Sequence, residues 1–267
     1  MQKTIFITGA STGLGKATAK LFQARGWNVI ATMRNPEKET ELRQLPNVTI
    51  LPLDVTNLEQ IKSTVTKAIE LHNIDVVFNN VGYGLMGAME ALTDDQIARQ
   101  LNTNLLGVLH TTHAFIPHFR EKRSGVFIST TSIGGLFAFP LHSIYHASKF
   151  AIEGWSESMS FELGVHNISI KTVAPGGIAT DFIGRSLDRN THPAYQEIED
   201  KLYAVVDGMM AAASSPEQIA EVVYEAATDG KDQVRYVAGA DATALYARRL
   251  EIGNEAFRQE VQKQILG

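Results

Sequence analysis

The stretch of this 267-residue chain best suited to chemistry is Tyr145-His146-Ala147-Ser148-Lys149. A phenol and an ammonium at i and i+4 share one face of a helix. On its own, a phenol with a pKa of about 10 is a poor acid or base at neutral pH. A cation beside it favours the phenolate and draws it toward the working range, which suits proton transfer to or from a substrate oxygen. Upstream, Ser132 follows a run of strand character and precedes Gly134-Gly135, so its hydroxyl is expected to face the same crevice. The sequence has no cysteine, which excludes thiol nucleophiles, disulfides and thiolate-held metals.

A second chemical signal lies at the N-terminus. Residues 4–8 read as a strand that runs into Gly9-Ala10-Ser11-Thr12-Gly13-Leu14-Gly15 and then into a helix. These glycines allow a sharp turn and a close approach to the helix N-terminus, whose free N–H groups suit a pyrophosphate. The GxxxGxG spacing in this strand–turn–helix setting predicts a dinucleotide site. The second strand ends Ala31-Thr32-Met33-Arg34, with no acid where a ribose 2′-hydroxyl would be held. Arg34 suits a 2′-phosphate instead, so the expected cofactor is NADP(H).

Holding these groups together calls for strands and crossing helices, and the remaining sequence has that rhythm. Candidate strands are 4–8, 28–32, 48–51, 76–79, 126–129, 169–173 and 233–237, several of them apolar almost throughout, as in parallel strands covered on both faces. Between them run helix-period segments 13–25, 58–71, 95–119, 143–164 and 216–228, the last opening on the capping signal Ser215-Pro216-Glu217-Gln218. The alternation predicts a doubly wound α/β fold. No Pro-, Gly- or Ser-rich linker divides residues 1–267, so one domain is expected. The irregular stretch 182–214 follows a strand end, where a long excursion is expected to act as a lid over a crevice rather than a surface insertion.

Composition narrows the partners. Hydrophobic residues are 44% and charged residues 20%, in the globular range, and 29 acids against 24 bases leave a net charge of −5 with no basic footprint for nucleic acid. The charge-free run from Ser124 to Ser148 is rich in Ser, Thr and Gly and reads as buried interior, not a membrane span. No targeting segment is visible, which predicts a soluble cytoplasmic protein.

Taken in order, Thr8-Gly9-x-x-x-Gly13-x-Gly15, Asn79-Asn80-Val81-Gly82, Asn104, Ser132, Tyr145-x-x-x-Lys149 and Pro175-Gly176 resemble the short-chain dehydrogenase/reductase family, from Lys3 to about Val237. The resemblance implies a Rossmann fold with a seven-stranded parallel sheet, helices on both faces, and a catalytic tetrad on Asn104, Ser132, Tyr145 and Lys149. In that scheme Tyr145 exchanges a proton with the substrate oxygen while hydride moves between nicotinamide and carbon, and Ser132 holds that oxygen. Lys149 tunes Tyr145 and binds the nicotinamide ribose, and Asn104 holds a water that links Lys149 to solvent. The resemblance extends the cofactor site from Gly9, Ser11, Thr12, Gly13, Leu14, Gly15 and Arg34 to Asp54 and Val55 beside the adenine. It adds Asn79, Asn80, Val81 and Gly82 along the cofactor, and Pro175, Gly176, Ile178 and Thr180 toward the carboxamide. Val81 departs from the family's usual alanine. Helices near 104–121 and 143–164 commonly pair in the family, which implies a homodimer or homotetramer.

The expectation is therefore an NADP(H)-dependent carbonyl reductase or secondary-alcohol dehydrogenase acting on a small-molecule substrate. The rival is a dinucleotide-binding sensor or scaffold that has lost catalysis, although such proteins usually lose a member of the tetrad and this chain keeps all four. His110 and His113 lack a carboxylate at ligand spacing, so no metal site is expected. His142 either lines the pocket or caps the helix. Phe137, Phe139, Leu141 and Met86 suit pocket walls or core equally. Residues 242–266 read as an amphipathic helix lying on the domain or on a partner subunit.

Overall fold

Seven parallel strands form the centre of the molecule. The computed structural model describes residues 2–179, 186–210 and 213–267, the side chains of 206–210 excepted. Its strands are β1 (Thr4–Ile7), β2 (Asn28–Met33), β3 (Val48–Pro52), β4 (Val76–Asn79), β5 (Gly84–Met86), β6 (Gly125–Thr130), β7 (Ile168–Pro175), β8 (Leu187–Arg189) and β9 (Arg235–Ala238). The main sheet has the order β3-β2-β1-β4-β6-β7-β9, and β5 pairs with β8 in a separate parallel ribbon. The helices are α1 (Gly13–Ala24), α2 (Leu58–Leu71), α3 (Asp94–Leu101), α4 (Gly107–Lys122) and α5 (Ser143–Gly164), then α6 (Gln196–Met210), α7 (Pro216–Thr228), α8 (Ala240–Ile252) and α9 (Asn254–Leu266).

Strand alternation sends side chains to two cores. From β1, Ile5 and Ile7 join Phe22 of α1 and Ile219 and Val223 of α7, while Phe6 joins Ile61 of α2 and Phe115 and Phe119 of α4 on the other face. Because β1 feeds α1 on one face and β4 feeds α3 and α4 on the other, the strand order reverses between them. That reversal opens a crevice at the carboxyl ends of the strands.

Three expectations about elements are corrected. The single helix expected over 95–119 is α3 and α4 joined by a π-turn, Asn102–Leu106, which fits extra residues into one helical turn and leaves Asn104 0% exposed. The single tail helix expected over 242–266 is two helices, α8 and α9, parted at Gly253. The stretch expected to be irregular contains β8 and α6. Their regularity rests on contacts far along the chain, the β5–β8 pairing and the burial of Leu202 from α6, which local patterning does not register. Residues 182–185 and 211–212 of the expected lid lie outside the described residues.

A third core sits off the sheet, above the crevice. It gathers Met86, Ile133, Leu136 and Phe137 with Leu202 of α6 and Phe257, Val261 and Ile265 of α9. Phe257 meets Phe137 edge-to-face at 4.9 Å between ring centroids. The tail therefore packs on this chain's own loops.

Candidate active site

The glycine turn is shaped by what it excludes. Gly9 and Gly13 have φ of +71° and +54°, and a Cβ on Gly15 would overlap the carbonyl oxygen of Gly9. The turn is fixed from behind by Asn80, whose Nδ2 donates to the carbonyls of Thr8 and Gly9, both at 3.2 Å. Thr8 Oγ1 in turn accepts from the backbone N–H of Asn80 at 2.9 Å and of Val81 at 3.2 Å. At the start of α1, Thr12 makes no side-chain cap and the first turn carries no acid, so the leading N–H groups stay open to an anion. Ser11 and Thr12 are exposed at that mouth and Leu14 is buried beneath it.

Arg34, at the end of β2, is exposed, and its guanidinium pairs with no carboxylate among the described residues. Asp54 folds back on Thr56, accepting from its N–H at 2.9 Å and its hydroxyl at 2.7 Å. Val55 is buried, and so close to Gly107 that a Cβ there would lie 2.8 Å from Val55 Cγ2. The first turn of α4 is thus seated against the end of β3.

The four tetrad positions converge around the far end of the crevice. Ser132 follows β6, accepts the N–H of Gly134 at 3.0 Å and lines the same cavity as Tyr145. Lys149 is 4% exposed, donates to the carbonyl of Thr130 at 2.8 Å and stands 5.8 Å from the Tyr145 ring centroid. Asn104 spends its amide on the backbone of Tyr83, accepting the N–H at 3.0 Å and donating to the carbonyl at 2.8 Å. Gly82 lies between the two, since a Cβ there would sit 3.5 Å from Asn104 Oδ1 and 3.6 Å from Lys149 Nζ.

One electrostatic expectation is reversed. Burial pushes the Tyr145 phenol up from its ordinary value, and the Ser132 hydroxyl only partly offsets this. Lys149, 5.8 Å from the ring centroid, does not outweigh that burial. Burial brings Lys149 to about 8, with Glu153 acting in the opposite sense.

Two buried residues escaped the sequence reading. Neutral His146 closes the loop that carries Ser132: its Nδ1 meets the Gly134 carbonyl at 2.7 Å, and its Nε2 accepts the Phe139 N–H at 3.0 Å. Burial holds it down to about 4, with His142 adding to the effect. Glu153 accepts from the hydroxyls of Thr131 at 2.5 Å and Thr172 at 3.1 Å and pairs with Arg235 at 2.8 Å, so α5 is tied to β6, β7 and β9. The signal for Glu153 was available. Positions 145, 149 and 153 form one stripe at helical spacing.

Above Tyr145 lies a mostly apolar cavity of about 140 Å³, walled by Ile133, Phe139, Leu202 and Val205, with Ser132, His142 and Gly177 at its polar side. Of the walls expected from sequence, Phe139 lines it, whereas Phe137 and Met86 belong to the third core and Leu141 packs against that core. His142 lines the cavity and makes no side-chain cap, its Nδ1 lying 2.8 Å from the Pro140 carbonyl. Gly176 and Ile178 follow β7 at the cavity's edge, Pro175 ends that strand, and Thr180 lies outside the described residues.

A family model described as short chain dehydrogenase matches residues 3–191. An uncharacterized oxidoreductase of Schizosaccharomyces pombe is 36% identical over 234 residues, covering 87% of this chain and 99% of its own. Among solved structures, a short-chain dehydrogenase from Streptomyces avermitilis is similar with a TM-score of 0.86 and 28% identity, over 98% of this chain and 96% of that one. ElxO, solved with NADP bound, is similar with a TM-score of 0.77 and 25% identity, over 91% of this chain and 100% of its own.

Proposed function

The chain belongs to the short-chain dehydrogenase family, and on that premise we propose that it is an NADP(H)-dependent oxidoreductase acting on a ketone, an aldehyde or a secondary alcohol. The observation that carries this reading is the placing of Ser132 and Tyr145 together on the wall of a mostly apolar cavity, with Lys149 behind the Tyr145 ring. The other end of the crevice fits a dinucleotide phosphate: an uncapped helix N-terminus, a turn with no room for Cβ atoms, and a guanidinium without a carboxylate partner among the described residues. When bound, the nicotinamide supplies or accepts the hydride. Residues 9–15 and Arg34 would hold the phosphates, Asp54 and Val55 would flank the adenine, and Asn80, Val81 and Gly82 would line the middle. Lys149, Pro175, Gly176, Ile178 and Thr180 would hold the nicotinamide end.

In the reducing direction Ser132 Oγ orients the carbonyl oxygen and Tyr145 donates its proton to that oxygen as the alcohol forms. The raised phenol suits this, since it remains protonated until the oxygen becomes basic. Lys149, at about 8, exchanges protons readily near neutral pH and replaces the one Tyr145 gives up. Asn104 Oδ1 keeps a lone pair beyond the Tyr83 N–H, enough to hold a water on that route. Within the stretch expected to act as a lid, α6 brings Leu202 and Val205 to the cavity wall. Exposed Phe150 and Phe161 on α5 and Val165 just past its end give a homo-oligomer an apolar face to bury. Among the described residues no helix is long and apolar enough to cross a membrane.

The test is NADPH absorbance with a panel of aliphatic ketones, aryl ketones, steroids and retinoids. Binding of NADPH without oxidation by any carbonyl would favour a catalytically silent dinucleotide-binding protein.

A further inference from the structure

We propose that Asp241, in the first turn of α8 and beyond the residues matched by the family model, is the positioning residue for the nicotinamide-end turn at residues 175–179. The inference rests on the dinucleotide reading above and adds a residue to it. Asp241 Oδ2 accepts the N–H of Gly177 at 2.8 Å. A Cβ on Gly176 would overlap the same carboxylate, and one on Gly239 would lie 2.7 Å from its Oδ1. The carboxylate is therefore enclosed by chain that lacks side chains where it sits. Acidic groups are favoured in a first helical turn, and a peptide N–H donated to a carboxylate is among the stronger hydrogen bonds.

On its far side the same turn is stitched to Ser214. The Ser214 N–H donates to the Gly177 carbonyl at 2.9 Å, and the Ala179 N–H donates to the Ser214 carbonyl at 2.8 Å. The Gly176 N–H donates to the Ala238 carbonyl at 3.1 Å. Three of these bonds are between main chains, and Asp241 supplies one that a side-chain change can remove. Asp241 Oδ1 is buried without a partner among the described residues, so the carboxylate is aimed by its site and not by a competing cation.

A residue that positions only this turn affects ligands that reach the nicotinamide end and spares those that stop at the adenosine end. The experiment measures dissociation constants of NADPH and of 2′,5′-ADP by calorimetry on the full chain. Asp241→Ala is expected to weaken NADPH by about tenfold or more, the value of one charge-assisted hydrogen bond, and to leave 2′,5′-ADP within about twofold. Asp241→Asn keeps an oxygen for the Gly177 N–H and is expected to recover NADPH affinity to within about threefold of wild type. Should Asp241→Ala not fold, Gly176→Ala, which drives a methyl into the carboxylate, is expected to give the same split. Unchanged NADPH affinity, equal loss of both ligands, or no recovery in Asp241→Asn overturns the proposal. A wild-type chain that binds neither ligand overturns the dinucleotide reading itself, and is recognised before any variant is compared.

Discussion

The end of the crevice proposed for the adenosine is built from backbone and from residues near one another in sequence: the glycine turn, the open N-terminus of α1, and Arg34 one strand later. On the substrate side, four distant stretches meet. These are the β5 loop, the 132–142 loop, the β8–α6 excursion and the two tail helices, held by one apolar core and the β5–β8 pairing. The first half is specified by local conformation and the second by tertiary packing. The two should therefore fail separately, and Tyr145 and Lys149 on α5 lie where they join.

The harshest way to test that division is at the join. Tyr145→Phe keeps the ring and removes the proton, so turnover should fall by about 10²- to 10⁴-fold while both halves still bind their ligands. Retention of more than about a tenth of wild-type turnover, with chemistry rate-limiting, would remove Tyr145 from its role. Next in size is damage to the substrate half alone. Phe257→Ala deletes a buried ring that packs on Phe137, at a cost of about 3–5 kcal/mol. It should raise KM for the carbonyl and leave 2′,5′-ADP affinity intact; a parallel loss of both would mean the halves are not separable.

His146 gives the substrate half a dependence on pH. Burial favours its neutral form, so its contribution is fully present above the unfolded value of about 6.5 and is lost as pH falls toward about 4. The cumulative loss is about 3 kcal/mol. Urea unfolding across that range should steepen with acid in wild type, and His146→Gln should flatten the slope. An identical slope in the variant would show that the clamp does not titrate. The smallest effect belongs to the adenosine half. Arg34→Ala should lower the preference for NADPH over NADH by about ten- to a hundredfold, the worth of a charge-assisted contact of about 1.5–3 kcal/mol. A variant with undiminished discrimination, read from the KM values of both cofactors, would reassign the phosphate contact.

The same division governs what could be read from the sequence. The sheet was legible in short apolar runs between helix-period segments, the Tyr145–Lys149 stripe in its i, i+4 spacing, and the glycine turn in its GxxxGxG spacing between a strand and a helix. Asn104 was placed by family resemblance, but not its π-turn, since a π-turn is one helical pattern slipping into another without a break. The β5–β8 ribbon was invisible because each strand is three residues long and is defined only by the other. His146 was passed over because its two bonds are to main-chain groups, and main-chain groups leave no trace in residue types. The lowering of Tyr145 expected from Lys149 failed for a related reason. Spacing reveals which charges are neighbours, and burial, which decided the outcome, is a property of the whole fold.

The isolated bridge between Ile178 and Ser214 has a consequence for the chain between them. The chain leaves β7 and enters α7 through one stitched base, so the stretch between can change in length while the sheet keeps its register. Lengthening a loop whose ends are already fixed costs only about 0.6 kcal/mol per doubling. A change of length or sequence between those two residues would thus reshape the cavity wall that Leu202 and Val205 supply without moving the strands.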